Sequence, residues 1–242
     1  MDQLEKRDLY FLGDIHGQFE IIYRYIDYYG IKNCDILQVG DFGVGFRKDE
    51  FKTLTQLNKT LIANDVKLYA IRGNHDNPAL FNINSNHVRL SNIILLPDYT
   101  ILTLSGQNIF CVGGAISIDR QYRIQNKLGY WEDELFKTPM PHLIPDANEC
   151  NIDIVVTHTA PSFCYPIGFN GLVYSFAKND ATLLDELTEE RKRVSRFFDI
   201  LKEKNHKITH HFYGHFHTSH RDVRDKIEHN LLNINELMKL KQ

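Results

Sequence analysis

The chain has 242 residues, of which 43% are hydrophobic and 24% charged, and its formal net charge is −3. This composition is typical of a soluble globular protein, and the length suits a single α/β domain over residues 1–242. The nearly balanced charge argues against a polybasic surface for bulk nucleic acid or for a membrane. The four cysteines show no C-x-x-C spacing, which argues against a zinc knuckle and a disulfide framework.

The N-terminus is charged and lacks an apolar signal segment. No later apolar run approaches the roughly 18 residues of a membrane-spanning helix. We therefore expect a cytoplasmic protein without a membrane partner. The sequence carries no pattern that indicates an oligomeric state.

Apolar periodicity in the first part of the chain predicts alternating strands and helices. We expect strands over 6–12, 35–39 and 66–71, separated by helices over 19–29 and 49–64. This alternation is typical of a parallel sheet with crossover helices.

The rest of the chain follows a different pattern. Short β-rich runs over 92–96, 99–104 and 108–112 favour antiparallel pairing through tight turns. Residues 113–116 indicate a loop or a bulged strand, and 138–146 a surface loop. Later elements are a strand over 154–157, a long amphipathic helix over 180–205, a strand over 208–213, a hairpin over 220–235 that turns at Arg224-Asp225, and a solvated or marginally helical tail from Glu236.

Polar side chains follow five of the predicted strands at the point where each strand ends. The blocks are Gly13-Asp14-Ile15-His16-Gly17, Gly40-Asp41, Arg72-Gly73-Asn74-His75-Asp76, His158, and Gly214-His215-Phe216-His217. Because open α/β sheets place ligands beyond the carboxyl ends of their strands, we expect these blocks to meet in space.

The residue types in these blocks predict a metal site. Carboxylate oxygens and neutral imidazole nitrogens bind divalent cations at neutral pH. Two ions that share a carboxylate can activate a bridging water for attack at phosphorus. The seven candidate ligands, too many for one tetrahedral ion, are Asp14, His16, Asp41, Asn74, His158, His215 and His217. Each block alone is common by chance, so the prediction depends on their order and on their shared position after apolar runs.

The order of the blocks resembles the calcineurin-like metallophosphoesterase superfamily, whose blocks run GD-x-H-G, GD, GNH(D/E), H and G-H-x-H. The match spans about residues 9–217. The resemblance implies a four-layer α/β/β/α sandwich and two divalent metal ions, with Mn²⁺ favoured and Fe, Zn or Ni as alternatives. It places Asp14, His16 and His217 at the first ion, Asn74, His158 and His215 at the second, and Asp41 between them. It also implies that the catalytic residues are Asp41 and His75, with His75 near the leaving-group oxygen as general acid or electrostatic stabiliser.

Together, the residues and the resemblance predict a binuclear metal-dependent phosphoesterase. It would hydrolyse phosphomonoesters or phosphodiesters with a hydroxide activated by two metals. The substrate would be a phosphorylated small molecule, a nucleotide or a phosphoprotein, selected by loops over 114–131, 138–146 and 162–176. The alternatives are a Ser/Thr protein phosphatase, a dinucleoside polyphosphate hydrolase and a non-catalytic metal-binding scaffold, which would be expected to have lost ligands.

The second block departs from the protein Ser/Thr phosphatase branch, which reads GD-x-x-DRG. This chain has Val44 and Gly45 where that branch keeps an Asp that orients the catalytic His and an Arg that binds phosphate. Another group would have to bind phosphate here. The candidate substrate contacts are Arg72, Asn74 and Arg120, with Arg47 and Arg123 as further cations and an exposed surface role as the alternative for each arginine.

Residues outside the blocks receive structural interpretations. The four cysteines are predicted to be buried thiols. Five histidines flank the last block and are predicted to be surface or strand residues rather than a third metal site: His206, His210, His211, His220 and His229.

Overall fold

The computed structural model describes residues 7–82 and 90–241, and in it two β-sheets lie between helices. The strands are β1 (Asp8–Leu12), β2 (Cys34–Gln38), β3 (Val66–Ala70), β4 (Ile93–Leu95), β5 (Thr100–Leu104), β6 (Gln107–Val112), β7 (Ile154–Thr157), β8 (His210–Tyr213), β9 (His220–Arg224), β10 (Ile227–Leu231) and β11 (Leu237–Lys239). The α-helices are α1 (Glu20–Tyr29), α2 (Glu50–Ala63), α3 (Arg120–Asn126), α4 (Gly171–Ala177) and α5 (Leu183–Glu203). No helix among the described residues is both long and apolar enough to cross a membrane.

The five-stranded sheet has the order β11-β1-β2-β3-β4. Strands β1, β2 and β3 run parallel, which confirms the predicted alternation of strands and crossover helices. The apolar faces of α1 and α2 cover the outer face of this sheet, with Ile22 and Leu57 among the buried side chains. Helix α1 ends at Gly30, whose left-handed conformation lets its N–H bond to the carbonyl of Tyr25.

The prediction of antiparallel pairing for 92–96 is wrong, because β4 pairs parallel with β3. A short apolar run does not specify the direction of its partner, and here Ile93 and Leu96 bury on opposite faces of the first sheet. The next two strands, β5 and β6, do form the predicted antiparallel hairpin, with Thr100 opposite Cys111.

The six-stranded sheet has the order β5-β6-β7-β8-β10-β9. Strands β6, β7, β8 and β10 run parallel. Strands β9 and β10 confirm the predicted hairpin, since Arg224 pairs with Ile227 at its turn. The predicted long helix is confirmed as α5, which packs Val194 and Phe197 onto the outer face of this sheet.

The inner faces of the two sheets form a shared core. Leu9, Phe11 and Val39 from the first sheet region pack against Val156 and Phe212 from the second. The rings of Phe11 and Phe212 stack with centroids 3.6 Å apart. Helices on both outer faces complete the predicted α/β/β/α sandwich.

Three further segments differ from the predictions. The tail from Glu236 is neither solvated nor helical: β11 pairs antiparallel with β1, and Leu240 is buried in the core between the sheets. Helices α3 and α4 lie where loops were expected. Each has only seven residues, too few turns to show a helical apolar stripe.

Candidate metal centre

The loops that follow β1, β2, β3, β7 and β8 converge at one edge of the sandwich. They bring all seven predicted ligands together, in two groups that share Asp41. The ligand atoms of Asp14, His16, Asp41 and His217 lie within 4.8 Å of one another, as do those of Asp41, His158 and His215. The topology therefore assembles the site from residues far apart in the sequence.

The first group presents two imidazoles and two carboxylates. The Nε2 atoms of His16 and His217 are 3.0 Å apart. His217 Nε2 lies 3.3 Å from Asp14 Oδ2, and His16 Nε2 lies 3.8 Å from Asp41 Oδ2. The backbone N–H of His215 donates a hydrogen bond to Asp14 Oδ2 at 3.0 Å. Nitrogen and oxygen donors thus converge on one point.

The second group includes Asn74 through its side-chain oxygen. Asn74 Oδ1 lies 2.9 Å from His215 Nδ1 and 3.1 Å from His158 Nε2. The amide nitrogen of Asn74 donates to Ser117 Oγ at 3.0 Å, which turns Oδ1 toward the histidines. His158 Nδ1 donates to the Val39 carbonyl at 2.9 Å, which leaves Nε2 as the ring nitrogen directed into the group.

Four of the candidate ligands adopt left-handed backbone conformations. The φ angles are 47° for His16, 56° for Asp41, 71° for His215 and 51° for His217. Such conformations are uncommon for residues other than glycine and concentrate at functional sites. Close packing also requires glycine nearby: a Cβ on Gly73 would lie 2.0 Å from Asp41 Oδ1.

Burial and charge make Asp41 and His158 a tightly coupled pair. Both are buried, and Asp41 Oδ1 lies 3.3 Å from His158 Nε2. Burial alone would raise the pKa of Asp41, but His158 holds it well below its usual range. Burial likewise opposes protonation of His158, whereas Asp41 raises the pKa of that imidazole to about 9. The proton held here is one that a bound cation would displace, and the donor set fits two divalent cations.

His75 belongs to neither group but lies next to both. Its backbone N–H donates to Asp41 Oδ1 at 2.7 Å, and its ring packs edge-on against His16 with centroids 5.0 Å apart. Burial lowers the pKa of His75 below its ordinary value, which favours the neutral imidazole at pH 7.

The family model for calcineurin-like phosphoesterases matches residues 8–219, which include every predicted ligand. The chain belongs to this family. The resemblance found in the sequence is therefore confirmed. A search of curated proteins found no match to the chain.

Solved structures resemble this chain at low sequence identity. A putative 5′-nucleotidase from Staphylococcus aureus has a TM-score of 0.50 and 11% identity, over 96% of this chain and 50% of that one. A dimetal phosphatase from Danio rerio has a TM-score of 0.47 and 13% identity, over 95% and 88%. GAP50 from Plasmodium has a TM-score of 0.44 and 15% identity, over 94% and 72%. At 11% identity the nucleotidase match shows the fold alone.

The two arginines predicted to contact substrate, Arg72 and Arg120, are engaged by other groups of the protein. All five N–H donors of Arg72 are used, by Asp98 and by the carbonyls of residues 133–135. Arg120 donates to Asp180, Thr182 and Glu186, which tie α3 to the start of α5. Both side chains support the fold. Asn74, predicted both as a metal ligand and as a substrate contact, lies among the candidate metal ligands.

Two polar residues that the sequence analysis did not assign to the site organise it. Asp76 is buried, and its carboxylate accepts from the backbone N–H groups of Phe42, Gly43, Val44 and Gly73 at 2.7–3.1 Å. Asp76 thereby connects the loop after β2 to the loop after β3. Its position in the sequence Gly73-Asn74-His75-Asp76 could have been used to predict this role. Ser117, which positions Asn74, follows no pattern that the sequence reveals.

A cleft of about 610 Å³ opens beside the two ligand groups. Its polar end is formed by Asp41, Asn74, His75, His215 and His217. Its apolar wall comes from two of the loops expected to select substrate, and includes Ile118, Tyr165, Phe169, Leu172, Val173 and Phe176. Residues 138–146 do not line this cleft.

Proposed function

We propose that the chain is a binuclear metal-dependent hydrolase of phosphate esters. The observation that supports this most strongly is the pair of ligand groups sharing one buried carboxylate, Asp41. Asp14, His16 and His217 would hold one divalent cation, and Asn74, His158 and His215 the other. When bound, two such cations supply an acidified water and positive charge at phosphorus.

The protein's own residues orient and stabilise the reacting groups. Asp41 is fixed between the groups by the N–H of His75 and by contact with His158. His75 lines the cleft next to the ligands, where its ring would donate a hydrogen bond to the leaving-group oxygen. Because burial favours the neutral ring, we assign His75 to stabilisation of the developing charge by hydrogen bonding.

The cleft favours a small ester with an apolar or aromatic group, such as a nucleotide, over a phosphoprotein. Its apolar wall lines the same cleft as the ligand groups and would cover the organic part of such a substrate. The segment that carries phosphate-binding residues in Ser/Thr phosphatases contributes no cation here. Val44 is buried, and the N–H of Gly45 donates to Glu50 instead.

The test uses chelator-stripped protein with an aryl phosphomonoester and an aryl phosphodiester, before and after addition of Mn²⁺. We expect Mn²⁺ to restore turnover of at least one ester. Asp41→Asn should lower turnover at least about 100-fold, since even outer partners of metal ligands contribute about 10- to 100-fold. Asp27→Asn, an exposed carboxylate on α1, is the matched control. Binding of two ions without turnover of either ester would favour the scaffold alternative, and absence of metal binding would overturn the proposal.

A further inference from the structure

Three potential metal ligands meet inside the protein, apart from the candidate metal centre. They are Cys164, in the loop after β7, His211 in β8 and His229 in β10; we call them the Cys164 cluster. His211 and His229 lie directly opposite each other in the parallel β8–β10 ladder, so both rings project from the same face of the sheet. All three side chains are buried, with exposures of 0–1%.

The donor atoms of the cluster point at one another. His211 Nδ1 and His229 Nδ1 are 3.1 Å apart, and Cys164 Sγ is 3.3 Å from His229 Nδ1. All three donor atoms lie within 4.8 Å of one another. Zn–N and Zn–S bonds of about 2.0–2.3 Å place tetrahedral ligands roughly 3.3–3.6 Å apart. The nearest donor pairs are therefore close to the spacing that one zinc ion would impose.

A hydrogen-bond chain orients His211 as a ligand. Thr157 Oγ donates to the Thr159 carbonyl and lies 2.9 Å from His211 Nε2. Because the Thr157 proton is already used, His211 Nε2–H must be the donor in that contact, and Nδ1 turns its lone pair into the cluster. Metal-binding histidines usually have their second nitrogen engaged in this way. Burial lowers the pKa of both His211 and His229, which keeps both rings in the neutral form that binds metal.

A carboxylate without a full set of partners lies beside the cluster. Asp222 is opposite His229 in the antiparallel β9–β10 ladder. Its Oδ2 accepts from Arg224 at 3.1 Å. Its Oδ1 is buried and accepts no hydrogen bond from the residues that the structure describes. The Asp222 side chain is 26% exposed and paired with Arg224, and a cation in the cluster would add a second positive charge on the side of its buried Oδ1.

We propose that Cys164, His211 and His229 bind a Zn²⁺ ion that is separate from the two ions of the candidate metal centre. The Cys164 thiol releases its proton to solvent when the ion binds, and the thiolate and two imidazoles fill three tetrahedral positions. Asp222 lies outside this group of three donors, and strand register places its carboxylate beside them. The soft thiolate selects Zn²⁺ over Mn²⁺ and Mg²⁺. This reverses the interpretation of His211 and His229 as ordinary strand residues.

The position of the ion indicates a structural role. It would join β8, β10 and the loop after β7 at a point closed to solvent, as structural zinc sites are. Strand β7 ends next to His158, and β8 leads into His215, so the ion would brace two strands that carry ligands of the candidate metal centre.

Cobalt substitution tests the proposal, because a thiolate bound to Co²⁺ absorbs in the near ultraviolet whereas oxygen and nitrogen ligands do not. The metal-free chain is titrated with Co²⁺, and the zinc content of the purified protein is measured by mass spectrometry. We expect one Co²⁺ per chain to produce the thiolate band and tetrahedral visible bands. Cys164→Ala should abolish the thiolate band, whereas Cys111→Ala, which removes another fully buried thiol, should retain it.

The outcomes separate a metal site from a hydrogen-bonded core. Absence of the thiolate band in the wild-type protein overturns the proposal, since the cluster would then be a Cys–His–His hydrogen-bond network. Retention of the band in folded Cys164→Ala overturns the assignment to Cys164. If circular dichroism shows that Cys164→Ala does not fold, His229→Gln replaces it. That variant should weaken Co²⁺ binding at least 10-fold, and unchanged affinity overturns the proposal.

Discussion

The candidate metal centre and the Cys164 cluster both take ligands from β8 or the loop after it and from the loop after β7, but they differ in their access to solvent. The candidate metal centre lies beyond the carboxyl ends of these strands, and the His217 side chain is 46% exposed there. The Cys164 cluster lies on one face of the β8–β10 pair, and His211 is 0% exposed. Catalytic ions need a position open to substrate, whereas structural ions are enclosed by protein. Position along a strand thus separates the two roles although both sites use histidine.

The candidate metal centre and the Cys164 cluster also differ in backbone geometry. Four ligands of the candidate metal centre adopt left-handed conformations in loops, whereas His211 and His229 lie in regular strands. Left-handed conformations at residues other than glycine are unfavourable and persist only where the surrounding structure enforces them. Asp76 and the flanking glycines provide that enforcement at the centre. His211 and His229 have ordinary strand conformations, which need no such enforcement.

Substitution of His75 should give the largest loss of activity, and this loss should arise only at the candidate metal centre. We expect His75→Gln to lower kcat by about 100-fold or more, as is typical for loss of a hydrogen-bond donor that stabilises developing charge. Metal content should not change, because His75 belongs to neither ligand group. Steady-state kinetics and metal analysis check this, with the exposed His142→Gln as control. A parallel loss of bound metal would show that His75 positions Asp41 and does not assist the leaving group.

Substitution of Thr157 should weaken metal binding at the Cys164 cluster. Thr157→Val removes the acceptor for His211 Nε2–H and leaves that donor buried without a partner. We expect Co²⁺ to bind the Cys164 cluster about 10- to 100-fold more weakly, the usual effect of losing an outer partner of a metal ligand. Titration of the thiolate band measures this change, and Thr157→Ser, which keeps the hydroxyl, should behave like the wild type. Equal affinities for the valine and serine variants would contradict the proposed orientation of His211.

Most helices and strands could be predicted because each depends on apolar periodicity within its own segment of the sequence. Helix periodicity predicted α1, α2 and α5, and strand-helix alternation predicted the parallel order of β1 to β3. Pairing of β4 and β11 was missed because partner choice depends on which sheet edge is free, a property of the whole fold. Helices α3 and α4 were missed because seven residues give too little periodicity.

The candidate metal centre and the Cys164 cluster also differ in how well the sequence reveals them. The candidate metal centre is encoded in short blocks, each directly after a strand, and its topology could be inferred. The Cys164 cluster joins single residues at positions 164, 211 and 229, and only the β8–β10 register brings the two histidines together. Hydrogen-bonding roles are equally hidden, since nothing in the sequence shows that Arg72 is saturated by Asp98 and backbone carbonyls.

The apolar wall of the cleft should affect substrate binding with no effect on either metal site. Leu172 lines the cleft from α4 and is 58% exposed, so its truncation leaves the core intact. We expect Leu172→Ser to raise KM for an aryl phosphate ester roughly 5-fold, as expected for loss of about 1 kcal/mol of apolar contact. Tyr174→Ser alters a side chain of the same helix that is 52% exposed and does not line the cleft, and should leave KM unchanged. Because neither variant touches a ligand, kcat and metal content should stay constant. A similar rise in KM for both variants would mean that helix α4 as a whole, rather than its cleft-facing side, influences the substrate.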